Sequence, residues 1–420
     1  MSKRNGTVWI AAAILFVGLG GCAAKADVPG DDNTAGTEQE QMSPDQVLTV
    51  MSIDADETAY QDYIKGIEEK LGIEIRLISP DQDANNRMAL FSTQLSTGDS
   101  TVDIYTLNDE MLCEFKKKGY LAAIPKERFS EDVLASYPQE YLKEICMHEG
   151  GLYAVPFYMD IYMLWVNQQY LKEAGLEEIQ TLEDFNLFLQ SILGNGVFGY
   201  GGAWEKTYSY NDIFEFINLF GGDCRDWNNG NTRQALIFLH DMIADGHASD
   251  AQLIDQYNQS LQKMLDGKYG STFLYSGSIY QAEKLKAYSA EEIHVQMLPD
   301  FGSNRTNIAA WSYAVNNASD NKELAYTFLT YIAGDEGAAD YSNRMHRLPA
   351  RLDILQCDLD IPDIEIMRRY AAECTLTVRA FTDTPMDGIE VIGEKFNHYI
   401  LDELTLEELC GEVTALLEEG

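Results

Sequence analysis

The stretch that decides the fold is VPFYMDIYMLWVNQQYLKEAG, from Val155 to Gly175. It packs five aromatic rings into twenty-one residues, at positions 157, 158, 162, 165 and 170. A single acidic residue, Asp160, interrupts the aromatic run. The question is whether these rings are simply core, or whether some of them face a molecule that the protein holds.

Toward the N-terminus, strand and helix patterns alternate. Two helix patterns end at a glycine, Gly72 or Gly98, as helices commonly do. The predicted elements are strand VLTVMSI (47–53), helix 57–71, strand IEIRLI (73–78), helix 85–97 and strand VDIYTL (102–107). This βαβαβ order predicts a parallel sheet with helices on both of its faces.

Later helices carry recognisable start signals. Thr181 with Asp184, and Thr405 with Glu408, have the spacing of a capping box, in which each side chain bonds the other residue's backbone N–H. The apolar residues that follow each box recur at helical spacing, so those faces are predicted to be core.

The N-terminus has the features of an export signal. Lys3 and Arg4 precede an apolar run, 8–19, which is shorter than the roughly 20 residues that a membrane span needs. LGGC, ending at Cys22, resembles a bacterial lipobox. This resemblance predicts a signal peptide over residues 1–21 and a lipid on Cys22. The alternative is an ordinary signal peptide followed by a cysteine that carries no lipid. The stretch 22–46 lacks aromatic residues and is predicted to be a flexible tether.

Charge and missing motifs exclude several classes of function. A net charge of −38 argues against nucleic acid and anionic membrane surfaces as partners. HExxH, GxSxG, Walker, GxGxxG and Cys/His metal spacings are absent, so we expect no cofactor and no metal site. Catalysis by paired carboxylates stays open at this point, because 68 acidic residues offer chance pairs throughout the chain. For the six cysteines after Cys22 we expect mostly buried thiols, with one disulfide as the alternative.

Several segments together resemble the family-1 extracellular solute-binding proteins of ABC importers, the group related to maltose-binding protein. The most diagnostic match is the segment GGLYAVPFYMDIYMLWVNQQYLKEAGL, which contains the opening stretch and is followed by TLEDF. The others, in the family's order, are LTVMSIDADE, LSTGDSTVDIYTL, LFGGDCRDWNNG, NTRQALIFLHDMIADG, KELAYTFLTYIAGDEGA and RLPAR. NIAAWSYAV (307–315) and YSGSIY (275–280) depart from the family pattern, which puts the ligand in doubt more than the fold.

The resemblance implies an α/β fold of the two-lobe, periplasmic-binding-protein-like type II, with hinge crossovers and an interlobe cleft. We expect an N-terminal lobe of 47–156 plus 306–346 and a C-terminal lobe of 157–305 plus 347–420. The crossings are expected at 155–160, near 304–308 and near 345–350. Leu164, Trp165 and Val166 are then core, whereas Tyr158 and Asp160 open onto the cleft.

The function implied is that of a substrate-binding lipoprotein which captures a carbohydrate, in particular an oligosaccharide, and delivers it to the permease subunits of an importer. We expect a monomer without enzymatic activity, lipid-anchored on the extracytoplasmic face of the cell membrane. Trp204 and Trp311 are favoured for stacking on sugar rings, and the glycines beside Trp204 favour its exposure. The candidate ligand-binding residues are Asp54, Asp109, Tyr158, Asp160, Trp204, Tyr275, Trp311, Tyr313 and Arg347.

Three alternatives remain open. A secreted, lipid-anchored glycoside hydrolase would also combine aromatic rings with carboxylates, but it needs two carboxyl groups at a fixed separation. A protein of the same binding fold could take a solute other than a sugar. Its membrane partner could also be a sensor kinase instead of a permease.

Overall fold

The computed structural model describes residues 47–81, 84–194, 196–381 and 385–419. The predicted signal, the lipidation site at Cys22 and the tether lie outside the described residues. All described residues belong to one unit, Pro44–Gly420.

The predicted βαβαβ opening is confirmed. Strand β1 runs parallel to both of its neighbours, as a βαβ connection requires. Gly72, with φ of 67°, ends the first helix in the left-handed conformation that glycine adopts readily. The elements are β1 (Val47–Met51), α1 (Thr58–Leu71), β2 (Glu74–Ile78), α2 (Ala84–Thr97) and β3 (Ile104–Leu107).

The middle of the chain carries the longest strand, β6, which contains most of the opening stretch. Between β3 and β11 the elements are α3 (Asp109–Lys117), α4 (Glu131–Ala135), α5 (Gln139–Tyr141), β4 (Met147–His148), β5 (Gly151–Leu152), β6 (Ala154–Asn167), α6 (Gln168–Glu173), α7 (Leu182–Ser191), β7 (Leu193–Gly194), β8 (Val197–Tyr200), α8 (Tyr210–Leu219), α9 (Gly230–Ala244), α10 (Tyr257–Leu265), β9 (Tyr269–Tyr275), α11 (Ser278–Lys284) and β10 (Ile293–Gln296).

The C-terminal part is mostly helical. Its elements are β11 (Arg305–Val315), α12 (Lys322–Ala333), α13 (Asp335–Met345), α14 (Ile364–Glu373), β12 (Thr375–Thr377), α15 (Pro385–Ile400) and α16 (Leu406–Glu419). Within the described residues, no helix is long and apolar enough to cross a membrane.

Two long strands, β6 and β11, join the two ends of one mixed sheet. The strand order is β2-β1-β3-β11-β6-β9-β8-β7, with β10 added to β6 and β12 added to β11. β11 pairs with β12 at its start and with β3 at its end. Between residues 308 and 311, β11 therefore leaves its partner β12 and approaches its partner β3. This point lies a few residues later than the crossing expected at 304–308.

A third chain segment, at Leu348 and Pro349, contacts β6 where β6 pairs with β11. The backbone N–H of Met159 donates to the carbonyl of Leu348 at 3.0 Å, and Tyr158 is bridged to Pro349. The pairing of β6 with β11 is irregular at this level, with a register shift between Trp311 and Ser312. Three chain segments thus meet where both the first and the third crossings were expected.

The opening stretch is core over its second half, as predicted. Leu164, Trp165 and Val166 are fully buried. Because successive side chains of a strand point to opposite faces, Trp165 joins one hydrophobic cluster while Leu164 and Val166 join the other. This part of β6 is therefore covered on both sides.

The predicted capping boxes and the buried thiols are also confirmed. At the start of α7, the Thr181 hydroxyl accepts a hydrogen bond from the backbone N–H of Asp184 at 3.1 Å. At the start of α16, the Glu408 carboxylate accepts a hydrogen bond from the backbone N–H of Thr405 at 2.8 Å. Among the described residues, the six cysteines are free thiols and no disulfide is formed. Four of them are buried, whereas Cys357 is exposed.

The capping box of α7 gives a first prediction. Thr181→Ala should lower the free energy of unfolding by about 1 kcal/mol, because the N–H of Asp184 loses its acceptor. Thr181→Ser keeps a hydroxyl at the cap and serves as the matched control. Urea denaturation of the three proteins checks this, and equal midpoints for wild type and Thr181→Ala would contradict it.

Candidate functional site

Two acidic residues mark the carboxyl ends of neighbouring parallel strands. Asp54 follows β1, and Asp109 begins α3 directly after β3. In open α/β sheets, ligands bind in the crevice beyond these strand ends. Both side chains are almost fully buried, and each is paired with an arginine from the C-terminal part of the chain.

The first pair is the centre of a cluster formed by Asp54, Tyr158, Tyr341 and Arg347, which we call the Asp54 cluster. Nη1 of Arg347 donates to the two carboxylate oxygens of Asp54 at 3.0 and 3.1 Å. The Tyr341 hydroxyl donates to the same carboxylate at 3.1 Å. The Arg347 guanidinium lies 4.6 Å from the centre of the Tyr158 ring. Three predicted residues are thus brought together.

The partly buried guanidinium of Arg347 remains charged beside Asp54. Burial alone would lower its pKa, since it disfavours the charged form. The negative charge of Asp54, whose carboxylate lies 3.0 Å from Nη1, opposes this effect, and the guanidinium pKa stays well above its usual range. Burial also raises the pKa of the Tyr158 hydroxyl, so the ring remains neutral.

The second pair is the centre of a cluster that we call the Arg379 cluster, formed by Asp109, Glu110, Tyr210, Asn211 and Arg379. Nη2 of Arg379 donates to Asp109 at 2.7 Å. Nη1 contacts Glu110 at 3.1 Å and donates to the Asn211 side-chain oxygen at 2.9 Å and to the Tyr210 hydroxyl. Burial raises the pKa of Asp109, and the charge of Arg379 opposes that shift.

The Arg379 cluster includes residues that sequence reasoning missed. Arg379, Tyr210 and Asn211 are far from Asp109 in sequence, and only the fold brings them to it. Of the predicted residues, Tyr275 joins the cluster, because its hydroxyl donates to Asn211 at 2.8 Å. The only local signal for Tyr210 and Asn211 is the aromatic and polar run YSYND at 208–212.

Asp160 lies at the crossing, where it binds the turn after β9. Its carboxylate accepts from the backbone N–H of Gly277 at 2.8 Å and from the Ser276 hydroxyl at 3.0 Å. A Cβ on Gly277 would lie 2.9 Å from this carboxylate, so a larger residue would not fit without a shift. Burial raises the pKa of Asp160, while Arg347 and the two bonds oppose that shift. Asp160 thus fixes β6 against the turn that follows β9.

Two of the predicted rings are core residues in this structure. Trp204 is fully buried, packs edge-on against Phe396 and donates its Nε1–H to Asp212 at 2.7 Å. Tyr313 is fully buried and shares a 2.6 Å hydrogen bond with the hydroxyl of Tyr60. The structure does not bring these rings to an accessible surface, and their role in ligand binding stays a prediction.

The expectation that glycines expose Trp204 is wrong. A Cβ on Gly202 would lie 2.1 Å from the Asp212 carboxylate, and one on Gly201 would lie 2.2 Å from the Tyr269 ring. Glycine is therefore needed here because other groups approach the backbone closely. Trp311, by contrast, is only half-buried, and its ring centre lies 5.6 Å from the guanidinium of Arg87.

A cavity of about 570 Å³ adjoins the Arg379 cluster, and its volume is in the usual range for small-molecule pockets. Arg379 and Phe381 contribute to its wall, and Phe381 packs against both hydrophobic clusters. The other lining residues come from α3, from the π-helical turn Leu142–Cys146, from the β4–β5 hairpin and from the turn at Arg225.

The sheet with two shared strands, the buried clusters at strand ends and the adjoining cavity define a two-lobe α/β binding protein. The family model described as bacterial extracellular solute-binding protein matches residues 54–339. The chain therefore belongs to the bacterial extracellular solute-binding protein family.

Solved structures of sugar-binding proteins share this fold. Maltose-bound MalE3 of T. maritima has a TM-score of 0.73 at 15% identity, with 89% of this chain and 99% of that chain covered. Lmo0181 of Listeria monocytogenes, in complex with cycloalternan, has a TM-score of 0.73 at 19% identity, with 89% and 98% covered. These similarities establish a common architecture.

One curated relative is the fructooligosaccharide ABC transporter substrate-binding protein FusA of Streptococcus pneumoniae. It is 22% identical over 251 residues, which are 50% of this chain and 46% of that protein. The chain thus matches less than half the length of this relative.

The Asp54 cluster gives a prediction about stability. Arg347→Met should lower the free energy of unfolding by about 3 kcal/mol, because it leaves the Asp54 carboxylate buried without its counter-charge. Arg344→Met, which removes a partly exposed pair with Asp340 one turn earlier, is the control and should cost under about 1 kcal/mol. Chemical denaturation compares them, and equal losses would contradict the prediction.

A prediction about pH concerns Asp212, which accepts a hydrogen bond from Trp204 and follows Asn211 of the Arg379 cluster in the sequence. Burial raises the pKa of Asp212 to about 6, although Tyr162, Trp204 and Tyr200 donate to it. A raised pKa means that the folded state binds the proton more tightly than the unfolded state, so this contribution is present at low pH and is lost as pH rises through about 6.

Relative to Asp212→Asn, the wild type should therefore lose about 2–3 kcal/mol of stability between pH 4 and pH 7. The measurement is the free energy of unfolding of both proteins across that range. If the difference between wild type and variant stays constant, the assignment to Asp212 is wrong.

Proposed function

We propose that this chain is the substrate-binding protein of an ABC importer and that it captures a carbohydrate, of the oligosaccharide class, between two lobes. The observation that supports this most directly is the Arg379 cluster beside the cavity. In it, Asp109 and Glu110, which follow β3, meet Tyr210 and Asn211, which begin α8. Residues from both sides of the shared strands thus converge where a ligand would be held.

The chemistry of the two clusters suits a sugar. Carboxylates and guanidinium groups make paired, charge-assisted hydrogen bonds, and adjacent hydroxyls of a sugar can use such pairs. The half-buried ring of Trp311 offers a flat apolar face to the C–H side of a pyranose. The proposed binding residues are Asp54, Asp109, Tyr158, Asp160, Tyr275, Trp311 and Arg347, with Asn211 and Arg379 added.

Binding would work by closure and without covalent change. The proposed lobes are 47–156 plus 306–346 and 157–305 plus 347–420, with β6, β11 and the segment near Leu348 as the hinge. A ligand that contacts both lobes favours the closed state by the difference in its affinity for the two states. The importer's membrane subunits would then recognise the closed form and receive the solute unaltered.

The relatives support a sugar as the solute. MalE3, Lmo0181 and FusA are described with maltose, cycloalternan and fructooligosaccharide respectively. The proposal further places the protein as a monomer on the extracytoplasmic face of the cell membrane. It would be held there by a lipid on Cys22 after removal of residues 1–21.

A ligand screen tests this function. Thermal-shift and calorimetric titration of the purified protein with a panel of oligosaccharides should identify at least one ligand. At 100 times its dissociation constant, that ligand should add about 2.7 kcal/mol to the free energy of unfolding. Small-angle scattering should show a smaller radius of gyration in the complex, and chromatography should recover the sugar intact.

The matched variants are Trp311→Ala and Tyr331→Ala. We expect the first to weaken sugar binding by about tenfold or more through loss of the stacking face, and the second, which changes a ring on α12, to leave the affinity unchanged. A response to peptides or polyamines with none to any sugar would overturn the proposal, and so would release of cleaved sugar.

A further inference from the structure

Basic side chains outnumber acidic ones in the lining of the cavity beside Arg379, whereas the reverse holds for the whole chain. The whole chain has 68 acidic and 30 basic residues. Among the thirteen residues that line the cavity, five are lysine or arginine and two are glutamate. The lysine, arginine, histidine and glutamate members are Lys116, Lys117, Lys143, Arg225, Arg379, His148, Glu144 and Glu149. An excess of one sign of charge in a cleft raises the local concentration of ligands of the other sign.

Lys116 carries a buried positive charge that lacks a carboxylate partner. Its side chain belongs to α3, and the residue is only 3% exposed. The ammonium donates to the backbone carbonyls of Glu144 at 2.7 Å and of Ile145 at 2.5 Å, which are both neutral. Over the described part of the chain, no carboxylate lies within ion-pair distance of it. A buried ammonium is unfavourable unless an opposite charge is close.

Arg379 contributes a second incompletely satisfied cation. Its two Nη groups bind Asp109 and Glu110, whereas its buried Nε–H has no hydrogen-bond partner among the described residues. Buried N–H groups are nearly always paired, so this one indicates a place where a further acceptor is accommodated. The observation is independent of Lys116, because it comes from a different segment of the chain.

On the rim of the cavity, two cations share a single carboxylate. Lys143 and Arg225 both approach the carboxylate of Glu144, at 3.3 and 3.8 Å. One glutamate therefore faces two cations, and both cations are more than half exposed. The apolar residues Ile145, Met147 and Phe381 complete the wall and offer surface to the body of a ligand.

We propose that this cavity selects saccharides that carry an anionic group, a uronate carboxylate or a phosphate ester, and binds that group between Lys116 and the rim residue Arg225. The inference rests on the proposed function and specifies the class of sugar. Charge-assisted hydrogen bonds to lysine and arginine are stronger than those made by a neutral hydroxyl. The anion would also supply the counter-charge that Lys116 lacks.

The experiment compares an acidic trisaccharide with its own neutral ester. Calorimetry of the purified protein with trigalacturonate should give an affinity about 30-fold higher than with the methyl ester of the same trisaccharide, and this affinity should fall as salt is added. Glucose 6-phosphate, glucose and inorganic phosphate are titrated in parallel to distinguish a carboxylate from a phosphate ligand. Tighter binding of either charged sugar than of its neutral counterpart supports the proposal.

Substitutions of single basic residues test which positive charge binds the anionic group. Arg225→Gln should weaken binding of the acidic sugar about tenfold and reduce its salt dependence, while binding of the neutral sugar stays unchanged. Lys65→Gln, at an exposed position of α1, is the control and should change neither. Lys116→Met should abolish the preference, but it also removes two buried hydrogen bonds, so the decisive variant is the exposed Arg225→Gln.

The outcomes distinguish this inference from the proposed function. Equal affinity for acidic and neutral sugars, or no effect of Arg225→Gln, overturns the inference and leaves a sugar-binding protein in place. Failure to bind any saccharide overturns both. Binding of inorganic phosphate without binding of any sugar also overturns both, because the cavity would then serve another solute.

Discussion

The backbone pairing of β6 with β11 is the interaction on which the rest of the structure depends. β11 pairs with β12 at its start and with β3 at its end, whereas β6 pairs with β11 along its first half and with β9 and β10 along its second half. The bond from Met159 to the carbonyl of Leu348 adds a third segment at the same level. Both buried arginine clusters lie beside this junction, so their geometry is set by strands that pass from one part of the sheet to the other.

The two arginine–aspartate pairs contribute more to arrangement than to stability. Removing two charges from water costs free energy that their mutual attraction roughly offsets, whereas breaking such a pair is strongly unfavourable. Asp54 with Arg347 and Asp109 with Arg379 therefore favour one alignment of distant segments over its alternatives. A sugar hydroxyl that replaces one bond of such a pair leaves the remaining bonds to keep the charges satisfied.

Local patterns in the sequence predicted the local structure well. The βαβαβ opening, the capping boxes at Thr181 and Thr405 and the buried second half of β6 depend on neighbouring residues, and all are present. Arg379 with Asn211 could not be predicted, because their contact depends on how distant segments pack. The glycines before Trp204 were misread for the same reason, since close approach of Asp212 and Tyr269 is a tertiary fact. The pairing of Asp54 with Arg347 joins two residues that were predicted separately.

The exposure of the cysteine side chains decides where a fluorescent label can be attached to this protein. Burial raises the pKa of Cys113 and Cys224 to about 12, and it also raises the pKa of Cys374 and Cys410. Since the thiolate is the reactive form, these side chains are poor targets for maleimide reagents at neutral pH. Cys357 is exposed, on the segment that follows the third crossing. Within the described chain, Cys357 is the one exposed thiol, so a fluorescent dye would react there in preference to the other cysteines, without any engineered cysteine.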